Sequence, residues 1–374
     1  MKTTFLLAFA ISTVAYSQSS FAGSITDTYT TGDTLTADKL TNIKSAVNDN
    51  DNRIRTVEAQ FLGDGSAGDL FVINGDVDWV ANPPANPFFT NINIGTGYTL
   101  RVPAGTTIYV TGSFVNQGTV IVDRGAITNG TAVTPFTSSN SFRGYAHPGD
   151  TPGAATMGES NVMSIQPSPG IIWGGNGGRN IPRVVATTSF GNFKIGGGSG
   201  AGGGGLPSGG GLLKVYAGVQ IINQGTIDAT GLDAIGDGGT GGGGGGIVVL
   251  AARGFVDNSS GGVIDVSGGA GNGNVNYVGN GGGGGGGIII MASPTPPMQG
   301  VLNTNLKVSG GLQGQGTVNV NGTSVRIAGG GGGGSGGLGG AGGSVQTDGT
   351  PNSGGSGGSG YIVSLTLDPI FLAR

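Results

Sequence analysis

A glycine followed by a run of large apolar residues occurs twice in the second half of the chain, as Gly246-Ile-Val-Val-Leu-Ala251 and Gly287-Ile-Ile-Ile-Met-Ala292, and more loosely as Gly211-Leu-Leu-Lys-Val-Tyr216. Short apolar runs that are bounded by glycine are typical of buried β-strands. A strand that recurs with the same flanking residues indicates an internal repeat. Repeats of this size indicate an architecture of stacked units.

Two further motifs recur around these runs. One consists of a short polar entry, then Gly-Thr, then an apolar residue. It occurs at Asn116-Gln-Gly-Thr-Val120, Asn223-Gln-Gly-Thr-Ile227 and Gly314-Gln-Gly-Thr-Val318. The other begins with an apolar residue and a charged one, at Ile227-Asp228, Ile264-Asp265 and Leu306-Lys307. Because the spacing between copies varies, we expect the repeated units to carry insertions of unequal length.

These repeats predict an all-β fold, a β-solenoid of the parallel β-helix kind, whose coils stack about 4.8 Å apart. Within 97–123, the strands beginning near Tyr98, Thr107 and Thr119 are interpreted as successive coils. A β-sandwich is the alternative, because it also consists of many short strands. Long glycine blocks fit poorly into its hairpin turns, which favours the solenoid.

Glycine accounts for 85 of the 374 residues, about three times its usual share. Nearly pure blocks lie at 196–205, 238–246, 281–287 and 329–340. We predict that these blocks take a polyglycine-II-like conformation and hydrogen-bond laterally along the flank of the solenoid. Flexible linkers are the alternative, although linkers usually contain more serine and charged residues.

Composition also excludes several classes of function. With no cysteine and one histidine, His147, the chain has neither a disulfide scaffold nor a multi-histidine or thiolate metal site. Asp and Glu (20) outnumber Lys and Arg (16), so a strongly basic nucleic-acid-binding protein is excluded and no nucleic acid is expected as a partner. We expect no cofactor.

The first 22 residues have the pattern of an export signal. Lys2 precedes an apolar stretch from Phe5 to Tyr16, and Ser20-Phe-Ala22 matches the small-x-small pattern before a cleavage site. The stretch is too short to span a bilayer, and later apolar runs are shorter. We therefore expect an exported protein at the cell surface or outside the cell, without a membrane span after cleavage.

A helix is predicted from Thr36, the capping residue, with Asp38 in the first turn. Its apolar residues follow a heptad pattern in which Asn50 occupies one core position. These core positions are Leu40, Ile43, Val47, Asn50, Ile54, Val57 and Phe61. A parallel homo-oligomer, with the trimer as the favoured form, and a helix lying on its own domain are the two interpretations.

Residues 62–125 contain Leu62-Gly-Asp-Gly-Ser-Ala-Gly-Asp69, then Asn91-Ile-Asn-Ile-Gly95 and Tyr98-Thr-Leu-Arg-Val-Pro-Ala-Gly105. This succession resembles the opening of glycine-rich repetitive proteins of bacterial surfaces and phage tail-fibre tips, and 221–291 resemble their later repeats. The resemblance implies an extracellular fibrous or adhesive role without catalysis. The export signal favours a cell's own surface over a virion.

Three sets of residues are candidates for sites. Asp228 and Asp265 occupy equivalent positions and offer a carboxylate pair for glycosidase chemistry, although outward solvated positions are the favoured explanation. Aspartates in the first coils suggest a calcium site or simple turns, and they are Asp64, Asp69 and Asp76, with Ser66 and Asp78 nearby.

The segment 135–193 concentrates aromatic residues that suit stacking on surface glycans, with Arg143, Tyr145 and Trp173 as the chosen candidates. A loop packed over the solenoid is the alternative for this segment.

The chain is accordingly divided into a signal peptide (1–22), an N-terminal arm and helix (23–61), first β-coils (62–134), an irregular aromatic and glycine-rich insertion (135–205) and a glycine-rich β-solenoid (206–374). The predicted function is that of a secreted, non-enzymatic structural or adhesive protein that self-associates, with a filament or fibre subunit as one form. The alternative is a carbohydrate-active enzyme built on a β-helix, a polysaccharide lyase or hydrolase.

Overall fold

Parallel strands and one helix make up the computed structural model, which describes residues 36–124, 177, 180–183, 196–197, 200, 208–234, 239–273, 279–315, 329, 331–344 and 353–369. The chain divides into two compact units, Met1–Gln60 and Phe61–Arg374. The export signal lies outside the described residues and stays a prediction.

The predicted helix is present as α1 (Ala37–Leu62). Thr36 caps it, since the backbone N–H of Lys39 donates to Thr36 Oγ1 at 3.3 Å. Asp38 lies in the first turn, where its negative charge suits the helix dipole. Local sequence signals thus place the beginning of this helix correctly.

The strands follow one another in coils of three. The first three coils contain β1 (Leu70–Val72), β2 (Val77–Asp78), β3 (Phe88–Phe89), β4 (Ile92–Ile94), β5 (Thr99–Val102), β6 (Thr106–Val110), β7 (Ser113–Asn116), β8 (Thr119–Val122) and β9 (Leu212–Ala217). The later coils contain β10 (Gln220–Asn223), β11 (Thr226–Asp228), β12 (Ile247–Ala252), β13 (Phe255–Asp257), β14 (Val263–Asp265), β15 (Ile288–Ser293), β16 (Leu306–Lys307) and β17 (Tyr361–Thr366).

Each coil contributes one strand to each of three sheets, except that the last coil reaches the first sheet only by a bridge from Met298 to Asp257. The first sheet has the order β1-β4-β7-β10-β13, the second β2-β5-β8-β11-β14-β16 and the third β3-β6-β9-β12-β15-β17. Every pairing among these strands is parallel. This is a parallel β-helix-like solenoid, and the sandwich alternative is wrong because it requires antiparallel strands.

The strand register confirms most of the sequence repeats. Asn116 pairs with Asn223, Ile227 with Ile264, and Ile247 with Ile288. The interpretation of 97–123 needs correction, because β5 and β6 are two sides of one coil and β8 belongs to the next. The assignment of Gly314 to the first repeated motif is also wrong, and 316–318 lie outside the described residues. Gly314 lies beyond the second sheet, where its N–H donates to Gly281 O at 2.8 Å.

Alternate residues of each strand point into the solenoid and form columns across the coils. Leu100, Val120 and Ile227 make one such column and are fully buried. The core therefore consists of stacked aliphatic side chains, in keeping with the β-branched composition of the strands.

A column of three buried asparagines turns the chain from the first sheet to the second. Asn116 Nδ2 donates to Asn223 Oδ1 at 2.7 Å, and Asn223 Nδ2 donates to Asn258 Oδ1 at 2.6 Å. Asn258 Nδ2 ends the series on Gly262 O at 3.1 Å. Buried amides require such partners, so the column ties three successive coils together at one corner.

The insertions all enter at the corner between the second sheet and the third. The corner is short in the first two coils and long from the third coil onward, where 123–211 separate β8 from β9. Since β6 pairs with β9 and β8 with β11, the first coils and the glycine-rich region form one continuous solenoid. The described glycine-rich segments beyond this corner are 208–211, 229–234, 239–246, 266–273, 279–287, 308–315, 331–344 and 353–360.

Backbone hydrogen bonds join these segments side by side. The N–H groups of Gly281, Gly284 and Gly287 donate to Asn272, Gly269 and Val266 at 2.7–2.8 Å. Gly283 and Gly286 donate to a different segment, at Gly355 and Gly358, both at 2.9 Å. The N–H of every third residue thus donates to the same neighbouring segment, while the N–H groups of intervening residues donate to other segments. The whole of 279–287 is buried.

Close approach of backbones explains why this region is glycine. A Cβ atom on Gly284 would overlap the carbonyl oxygen of Gly243, and one on Gly285 would overlap that of Gly337. Backbone atoms of other glycine-rich segments, rather than side chains, surround these two residues. Any side chain would therefore push neighbouring segments apart and break the lateral hydrogen bonds.

We predict that Gly284→Ala lowers the free energy of unfolding by about 2 kcal/mol, because overpacking of a rigid interior has a cost of this order. Gly75→Ala is the matched control, since a Cβ at Gly75 has no atom within 4 Å. Chemical denaturation of both variants measures the difference. Equal stabilities would contradict the packing described for the glycine segments.

Candidate functional site

The outer face of the third sheet is covered. Every residue of β9, β12 and β15 is buried, on the outer side as well as the inner. Ile181 packs on this face in a cluster with Leu212, Ile247 and Ile288. The third sheet is therefore unavailable to a ligand along these strands.

Residues 180–183 of the aromatic insertion form part of this cover. Ile181 N–H donates to Ser335 O at 2.7 Å, and Tyr361 Oη donates to Ile181 O at 2.9 Å. Arg183 Nη2 donates to Ile362 O at 2.9 Å. This described part of the insertion packs over the solenoid, as the second interpretation of that segment expected. The proposed glycan-contacting residues Arg143, Tyr145 and Trp173 lie outside the described residues, and so does His147.

Lys214 is buried on the covered face, where its side chain points away from the core. Burial lowers the pKa of its amine to about 8, because desolvation disfavours the ammonium form. Burial also raises the pKa of the Tyr216 and Tyr361 hydroxyls. The sequence does not identify Lys214 as buried, because its own strand gives no sign that other segments pack on this face of the sheet.

The lowered pKa of Lys214 predicts that the protein becomes more stable between about pH 8 and pH 10. In this window the unfolded chain, with a lysine pKa of about 10.4, binds more protons than the folded chain. We expect the free energy of unfolding to rise by about 2 kcal/mol, before the raised tyrosine pKa values reverse the trend at higher pH.

Urea unfolding across this pH range measures the effect. Lys214→Met should abolish the rise, whereas Lys307→Met, at a half-exposed lysine, should retain it. A rise that persists unchanged in Lys214→Met would contradict the assignment.

The outer face of the second sheet carries the predicted carboxylate pair. Asp228 and Asp265 lie in register on adjacent coils, with Lys307 next in the column. Lys307 Nζ lies 3.4 Å from Asp265 Oδ2. Asp228 Oδ1 and Asp265 Oδ1 each accept a backbone N–H two residues later, both at 3.0 Å. The register therefore confirms that Asp228 and Asp265 stack on adjacent coils on the outer face of the sheet.

The candidate calcium residues serve separate local contacts. Asp64 accepts the N–H and hydroxyl of Ser66, which lower the pKa of its carboxyl. Asp69 accepts Asn91 Nδ2 at 3.0 Å, and Asp76 accepts Thr99 N–H at 2.8 Å. Across the described ranges no group of three or more such ligands is close enough to hold a metal ion. The structure thus does not bring Asp64, Asp69 and Asp76 together.

The outer face of the first sheet carries an apolar column that sequence inspection missed. Its members are Phe71, Asn93, Val115 and Ile222, in register from the first coil to the fourth. The Phe71 side chain is 56% exposed. The strands alternate between inward and outward residues, but only the three-dimensional register reveals that these outward residues align.

The heptad positions of α1 divide by exposure. Leu40 and Val47 are 51% and 57% exposed, Asn50 is exposed, and Ile43 is half-buried. The side chains of Ile54, Val57 and Phe61 lie outside the described residues. Three of the first four positions of the predicted core seam thus face solvent in a single chain.

Comparison of the chain with protein-family models, with curated proteins and with solved structures gives no match. Within the described part of the chain, no helix is both long and apolar enough to cross a membrane.

Proposed function

We propose that this protein is a secreted, non-enzymatic structural or adhesive component of the cell surface. The observation that carries the proposal is a solenoid of in-register coils with one sheet covered and two sheets presenting regular outer faces. Such a scaffold is suited to presenting repeated surface groups at fixed spacing. The resemblance to glycine-rich bacterial surface and tail-fibre-tip proteins supports the same role.

The glycine-rich flank is proposed to be a polyglycine-II-like bundle. Its support is the three-residue period of the lateral hydrogen bonds along 279–287, because that helix has about three residues per turn and no internal hydrogen bonds. In such a bundle backbone groups take the place of a side-chain core. This arrangement gives a cysteine-free exported protein a stiff flank.

Self-association is proposed to occur through α1. Leu40 and Val47 are large apolar residues that a single chain leaves about half exposed, at positions where a coiled coil would bury them. Asn50 at a core position would fix the register of parallel copies. Joined through α1, several solenoids would form one multivalent fibre subunit, which raises avidity for a surface.

The α1 proposal predicts that Val47→Asp dissociates the oligomer of the processed chain, because a buried aspartate in the seam lacks a partner. Asn48→Asp adds the same charge next to the seam and should leave the oligomer intact. Sedimentation equilibrium of both variants and the unsubstituted chain measures the masses. A monomeric unsubstituted chain, or an oligomer that survives Val47→Asp, would contradict the proposal.

The enzymatic alternative rests on the register of Asp228 and Asp265. A double Asp228→Asn and Asp265→Asn variant tests it against a panel of polysaccharides, with released reducing sugar and unsaturated product as readouts. We expect no release by the unsubstituted protein and none by the variant. Release that the double variant loses would overturn the non-enzymatic proposal.

A further inference from the structure

The outer face of the first sheet combines an apolar column with amide borders. Phe71, Val115 and Ile222 supply the apolar surface of the column, and Ile73, 42% exposed, lies beside Phe71. On one border Gln117 Nε2 donates to Gln224 Oε1 at 3.1 Å, and both glutamines are exposed. Ser113 and Gln220 pair in register on the opposite border.

Several polar atoms of this face are unused within the described residues. The Gln117–Gln224 hydrogen bond leaves one amide oxygen and N–H donors on the pair for a ligand. Asn93 Oδ1, within the apolar column, accepts no hydrogen bond from any described residue. This oxygen is itself buried, so the amide groups of the two glutamines are the polar atoms that a ligand on the surface can reach.

The face is nearly free of charge. Among the described residues, its outward positions hold no lysine or arginine, and its aspartates, Asp69 and Asp257, lie at opposite ends of the sheet. Both carboxylates already accept hydrogen bonds, from Asn91 and Ser259. A polyanion would find no cation here, so the face suits an uncharged ligand.

The dimensions favour an extended polymer over another protein. The column spans four coils, which at about 4.8 Å per coil is roughly 14 Å. A stable protein interface needs about 20–30 residues on each side, and this column with its borders offers fewer than half of them. Sugar rings present apolar faces and peripheral hydroxyls, which match apolar side chains bordered by amides.

We propose that the outer face of the first sheet binds an uncharged polysaccharide, which lies along the solenoid axis from Phe71 to Ile222. The inference rests on the proposed adhesive function and names its ligand class. It places the contact on the solenoid itself, at residues distinct from the insertion candidates Arg143, Tyr145 and Trp173.

Pull-down of the oligomeric protein with uncharged polysaccharides (cellulose, chitin, mannan and dextran) and anionic ones (alginate and polygalacturonate) tests this proposal. We expect binding to at least one uncharged polymer and none to the anionic polymers. Phe71→Ala and Val115→Asp should each weaken that binding by about tenfold or more. Ile121→Asp is the matched control, because Ile121 is an outward residue of the second sheet, 36% exposed, and it should bind like the unsubstituted protein.

Circular dichroism and thermal unfolding establish that each variant is folded before binding is compared. Failure to bind any uncharged polymer, selective binding of the anionic polymers, or full binding by folded Phe71→Ala and Val115→Asp would each overturn the proposal. Loss of self-association in Val115→Asp would instead make this face a contact between copies, which also overturns it. The sedimentation experiment on α1 tests the proposed structural role separately, so failure of polysaccharide binding and failure of the structural proposal are distinguishable.

Discussion

Backbone hydrogen bonding between successive coils is the constraint on which this structure depends. Parallel stacking at about 4.8 Å requires each coil to place equivalent residues at equivalent corners, so a strand can move only if its neighbours above and below move with it. The asparagine column shows this most clearly, because Asn116, Asn223 and Asn258 bond only when three coils are in register. Large length variation is confined to one corner, where insertions leave the stack intact, whereas the corner between the first and second sheets varies only between two and five residues.

Beyond that corner the same constraint continues without β-strands. The chain leaves the second sheet and returns to the third through segments that still pair with those of adjacent coils, as Gly242 does with Gly282 and Gly245 with Gly285. Side chains are excluded where segments surround one another on several sides, as they do at Gly284. Glycine gives up much entropy when it is ordered, and the lateral hydrogen bonds and buried contacts offset this loss. The unusual composition is thus a consequence of backbone packing.

How much the sequence predicts depends on whether a feature is local or recurrent. The cap at Thr36 is local, and the pairing of Asp228 with Asp265 follows from a repeated motif. The assignment of β5 and β6 to successive coils failed because turns within a coil are as short as turns between coils. The burial of Lys214 and the alignment of Phe71 with Val115 depend on register or on a cover distant in sequence. The contact between Ile181 and Tyr361, about half the chain apart, illustrates why such features are not visible in a single repeat.

Hydrogen–deuterium exchange of the glycine amides tests the central claim most directly, because each lateral bond protects one N–H. If the segments are packed as described, the amides of Gly281 and of 283–287, which donate lateral bonds, exchange as slowly as those of β15, which continues the same chain, since both require opening of the coil stack. Exchange of these glycines at the rate of an unstructured peptide, beside a protected β15, would show that the segments are loose linkers and would contradict the account.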